Sequence, residues 1–72
     1  MMPLLATSLI RGEHIRSFHI SATPPVGWEV SEGEDHRVVR RRQCTDWHRV
    51  ELALSRATRH IAELREQGWQ EP

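Results

Sequence analysis

The sequence predicts a small two-layer α+β domain: a three-stranded antiparallel β-meander packed by one long C-terminal amphipathic helix. Three observations carry this. Apolar residues alternate with polar ones in short runs up to about residue 43. Breaker residues separate those runs. From Thr45 onward the apolar spacing switches to threes and fours, the period of a helix.

The first predicted strand covers residues 15–21. Phe18 and Ile20 share one face with Arg16, and Ser17 and His19 fall on the other. Pro24 and Pro25 end it, because each fixes φ and removes a backbone donor. A second strand, 27–31, places Trp28 and Val30 on one side and Glu29 on the other. Glu32-Gly33-Glu34-Asp35 is polar and holds a glycine able to adopt positive φ, so a hairpin loop is expected there. The third strand, 37–43, has β-branched Val38 and Val39 and no breaker. Short connections between successive strands favour antiparallel neighbours.

The helix is predicted over 46–67. Thr45 or Asp46 can cap its free N–H groups. Trp47, Val50, Leu54, Ala57, Ile61 and Leu64 form one stripe, with Phe18, Ile20, Trp28 and Val30 as its partners on the sheet. Gly68 is placed to stop the helix. Residues 1–12 are read as an apolar N-terminal tail or an edge strand, and 13–72 as a single domain. The apolar start lacks a basic region before it and a small-residue cleavage site after it, so it does not read as a signal peptide. It is about half the roughly 20 residues that a membrane span needs.

A chain of 72 residues forms one domain at most. Such a domain buries only about 60% of its unfolded surface, so its core is marginal. Small scaffolds commonly gain stability from disulfides, a metal or a partner chain. Cys44 is the only cysteine, which rules out an internal disulfide and points to a reducing compartment, read here as the cytoplasm. Ten arginines balance ten carboxylates and there is no lysine, a bias that a GC-rich bacterial genome produces. With zero net charge, global electrostatics select no partner.

Local chemistry is sparse. Arg37, Arg40, Arg41 and Arg42 form the one dense charge cluster, a candidate site for nucleic acid or another polyanion. Strict alternation would divide them, with Arg40 and Arg42 on one face and Arg37 and Arg41 on the other. The competing reading is an edge strand that its charge protects from aggregation. Cys44 precedes the helix and stands near His48, the minimum of a nucleophile and base, but no third group is legible, and a small core residue is the simpler role. His14, His19, His36, His48 and His60 include no ligand pair at helical spacing, so no metal or other cofactor is expected. Paired catalytic carboxylates and phosphate-cradling glycine loops are also missing, so the chain is not read as an enzyme.

A protein-interaction module remains, acting on a partner protein or as a homodimer, with no membrane association. Self-association would use Ala53 on the flank of the stripe, an open sheet edge, and Trp69 or residues 4–10 as further contacts.

Overall fold

The computed structural model describes residues 2–72. Met1, part of the expected N-terminal tail, lies outside the described residues. The elements in chain order are β1 (Leu5–Arg11), β2 (His14–Ala22), β3 (Trp28–Glu34), β4 (Arg37–Cys44) and α1 (Trp47–Glu66). The strands form one antiparallel sheet in the order β1-β2-β3-β4, and the helix covers one face of it.

The α+β class is as the sequence predicts, but the meander has four strands rather than three. The apolar start supplies the extra one. Leu5 to Arg11 pair with Ile20 to His14 in unbroken register. Gly12 turns the chain between them at φ 62°, and glycine at the first central position is what a two-residue hairpin loop favours. Leu9 then reaches the core, where it is fully buried.

The β3–β4 turn also differs from expectation. Glu32, Gly33 and Glu34 belong to β3. The turn is made by Asp35 and His36, both at positive φ. Asp35 ties it to the start of β2 at the same end of the sheet. Its Oδ1 accepts from the Ile15 N–H at 3.0 Å, and its Oδ2 lies 3.2 Å from His14 Nδ1. The Ile15 amide, and then His14, hold the Asp35 carboxyl below its ordinary pKa of 3.8. A depressed carboxylate pKa stabilises the fold above the unfolded-state value, and the contribution disappears as pH falls through the folded value. The urea midpoint should therefore fall on acidification below about pH 4. Asp35→Asn should lose less of its own midpoint between pH 7 and pH 3 than the parent protein does. Equal losses would show that this carboxylate is not one of the groups being titrated.

Gly33 sits inside β3 because a side chain would not fit. A Cβ there would lie 2.5 Å from Ser17 Oγ and 3.2 Å from the Arg37 carbonyl. Beside it the ladder slips: Glu32 stands opposite Arg40, whereas Gly33 stands opposite Val38. Val39 is thus the extra residue of a β-bulge.

Asp46, rather than Thr45, caps α1, accepting from the His48 N–H at 2.9 Å. At the other end the Gly68 N–H donates to the Arg65 carbonyl and the Trp69 N–H to Leu64, with Gly68 at φ 98°. This paired pattern is the Schellman motif, which brings the residue after the glycine against the last turn. The core has two clusters. Leu9, Phe18, Ile61 and Leu64 form one; Ile20, Cys44, Val50 and Ala53 form the other. The stripe is therefore turned slightly toward Ala53, and Leu54 is only half-buried. Trp47, expected in the core, is 49% exposed. It begins the helix just past the end of β4, where its ring meets that of Trp28, centroids 5.3 Å apart.

Candidate functional site

The two edges of the sheet are treated differently. On β1, Ile10 donates to the Gln70 carbonyl at 2.7 Å and accepts from the Gln70 N–H at 2.9 Å. The C-terminal tail thus pairs with that edge near its end. β4 pairs with β3 on one side and, among the described residues, has no strand on the other. Residues 37–43 are all exposed, including Val38 at 58% and Val39 at 54%. Unpaired N–H and C=O groups of such an edge are a template for another strand.

The bulge decides where the arginines go. Register aligns Leu9, Arg16, Glu34 and Arg37 in one row across the sheet. Leu9 is buried beneath α1, so Arg37 belongs to the helix side. The same reading puts Arg40 in the row of Phe18 and Glu32, and Arg42 in that of Ile20 and Val30. Arg37, Arg40 and Arg42 therefore share the helix side. The extra residue at the bulge undoes the expected division, and only Arg41 lies on the far face. There Arg41 Nε is 3.6 Å from Glu29 Oε1. Among the described residues no carboxylate lies within 4.0 Å of a nitrogen of Arg37, Arg40 or Arg42.

Two clefts lie between α1 and the β3–β4 half of the sheet. The inner one, about 190 Å³, has Phe18, Ile20, Val30 and Ala57 as apolar lining and Arg40, Arg42, Arg56 and Glu32 as charged lining. The outer one, about 430 Å³, runs along the β4 edge from Arg42 to Cys44 and is lined on the helix by His48, Arg49, Leu52 and Arg56. Arg42, Ala53 and Arg56 border both, so the two form one continuous groove. Leu52, 44% exposed, is an apolar contact in its outer part.

Comparison with known proteins returns no match. No family model, no curated protein and no solved structure is similar to this chain.

The remaining candidates have definite places. Cys44 is a free thiol buried among Ile20, Val50 and Ala53. Among the described residues no three His, Cys, Asp or Glu side chains converge on a point where they could share a metal ion. No described helix is long and apolar enough to cross a membrane. Ala53 is 5% exposed and packs in the core, so it offers little surface to a second chain. Trp69 is folded back on the Leu9–Leu64 cluster, with the Arg16 guanidinium 6.0 Å from its ring centroid. Arg56 and Leu52 were not candidates from sequence, since both fall outside the apolar stripe. Their signal lies in tertiary placement alone: α1 crosses the sheet so that they border the free edge.

Proposed function

We propose that this chain is a small non-enzymatic protein-interaction module whose β4 edge takes up an extended, acidic segment of a partner protein. The observation that carries this reading is the asymmetry of the sheet. Among the described residues, the chain's own tail bridges the β1 edge at Ile10, whereas the β4 edge has no such bridge and is exposed and rich in arginine. Strand addition supplies main-chain hydrogen bonds for affinity, while alternate side chains supply specificity. Here the alternate positions on the helix side are cationic, which selects a partner of opposite charge.

The same charges oppose self-pairing. A two-fold β4–β4 ladder centred anywhere from Val39 to Arg42 sets at least one arginine opposite another. Like charges directly opposite each other are destabilising in an antiparallel pair. Among the other surfaces expected for a homodimer, Ala53 and Trp69 pack against the monomer's own core clusters, and residues 4–10 fall largely in β1. A second reading, nucleic-acid or other polyanion binding, draws support from Arg37, Arg40 and Arg42 sharing one side. Against it, the one Phe, Tyr or Trp in the described lining of the groove beside these arginines is Phe18, which is 2% exposed and offers bases little ring face to stack on. A buried, unpaired cysteine supports a reducing compartment, the cytoplasm, for the interaction.

Titration of isotope-labelled protein with a peptide of alternating glutamate and valine tests the proposal. Amides of β4 should shift and become protected from exchange, those of β1 should not, and affinity should weaken with added salt. An unchanged spectrum at millimolar peptide, or shifts confined to β1, would overturn it. Tighter binding of a single-stranded oligonucleotide, with a steep salt dependence, would move the assignment to nucleic acid.

A further inference from the structure

We infer that Arg42 and Arg56 form a clamp for a glutamate side chain carried by the docked segment; the inference rests on the edge-docking reading above. A strand added to β4 would run along the outer cleft, and its alternate side chains would turn toward α1. At the level of Arg42 the groove deepens into the inner cleft, and Arg56 stands on the helix side of that same passage. Among the described residues, neither guanidinium has a carboxylate within 4.0 Å. Arginine presents a planar fork of donors that matches a carboxylate.

The lining beyond the passage narrows the choice of side chain. Phe18 and Ile20 are almost fully buried, and with Val30 and Ala57 they supply the apolar part of the inner cleft's lining. A glutamate's methylenes precede its acid, so they cross the outer cleft against Leu52 and Ala53 while the carboxylate reaches the passage between the two arginines. Aspartate, one methylene shorter, reaches less far. A phosphate-sized group would bring no apolar stem to cover the lining. Glu32, which lines the inner cleft and stands opposite Arg40 in the ladder, is the competing carboxylate. Its repulsion favours a ligand that carries a single acid at this point. Leu52, in the outer cleft, provides contact for an apolar residue elsewhere on the same strand face.

A double-mutant cycle separates the clamp from the edge. Each glutamate of the acidic peptide is replaced in turn by glutamine, and binding is measured to the parent protein and to Arg56→Gln. One peptide position should lose about tenfold in affinity with the parent protein. In the Arg56→Gln background that same replacement should cost little. Aspartate at that position should fall between glutamate and glutamine. Arg41→Gln, on the far face, should leave the coupling intact, and Arg56→Lys should restore only part of it. Arg56 lies on the exposed side of α1, and an unchanged denaturation midpoint for Arg56→Gln establishes that its fold is preserved. If β4 amides still respond but no peptide position couples to Arg56, the clamp is wrong and edge docking stands. If no acidic peptide binds, both are wrong.

Discussion

Phe18→Ala is expected to bring the chain to the margin of unfolding at room temperature. Phe18 is 2% exposed and joins Leu9, Ile61 and Leu64 in the cluster that ties the middle of β2 to the second half of α1. Its ring also meets the His60 ring edge-on, centroids 5.6 Å apart. Removing a buried phenylalanine costs about 3–5 kcal/mol, from lost burial and from the cavity left behind. The inner cleft already opens next to the ring, and Ile61, Leu64 and Trp69 are held by α1 and the tail, so the space is not readily filled. A domain of this size has total stability near the low end of the usual range of about 5–15 kcal/mol. The substitution thus removes much of what there is. Far-UV circular dichroism and a urea titration measure the outcome. Leu54→Ala is the comparison. Leu54 is half-buried at the margin of the other cluster, so the loss should be clearly smaller. A Phe18→Ala midpoint equal to that of the parent would mean that the helix does not rest on this part of the sheet.

The helix was legible because each of its signals is local. Asp46 caps, Gly68 terminates, and Val50, Ile61 and Leu64 recur at the right spacing within one continuous segment. Trp47 fits that periodicity but not the burial, since periodicity states which face a residue occupies and not whether a neighbouring layer extends far enough to cover it. The strands were legible as apolar alternation, yet two local features misled. Residues 1–12 read equally as a tail or an edge strand, and the choice of strand depends on pairing with β2, a tertiary fact. Gly33 has the composition of a turn, but its use is to let β3 lie close to Ser17 and Arg37, while Asp35 and His36 accept positive φ without being glycine. One consequence is large. Strict alternation scatters the arginines of 37–42, and a single bulge at Val39 collects three of them. Adjacent Val38 and Val39 do not mark a bulge by themselves, because the same pair reads equally well as two sides of a regular strand. Arg56 and Leu52 enter the candidate site only through the diagonal crossing of α1 over the sheet, for which no short stretch of sequence holds the information.

Deleting residues 69–72 should both destabilise the domain and make it associate. Trp69 covers the Leu9–Phe18–Ile61–Leu64 cluster, and it is held there by its own N–H bond to the Leu64 carbonyl. Gln70 follows directly and closes both main-chain bonds with Ile10, and an ion pair between Arg65 and Glu71 fixes the tail to the end of α1. Losing a half-buried tryptophan and these bonds should cost about 2–3 kcal/mol. The second effect is a change in the edges. β1 reads Leu-Ala-Thr-Ser-Leu-Ile-Arg, with charge only at its last residue, unlike arginine-rich β4. Tail pairing reaches β1 at Ile10, so its loss lengthens an open stretch of low charge, a template for other chains. The truncated protein should therefore show mass that rises with concentration in sedimentation equilibrium, and β1 amides should be the ones protected in the assembled species. Trp69→Ala, which keeps the Gln70 backbone, should lower stability while producing less association. If the truncated chain remains at the monomer mass with an unchanged midpoint, the tail is not what guards β1, and the asymmetry of the two edges loses its physical basis.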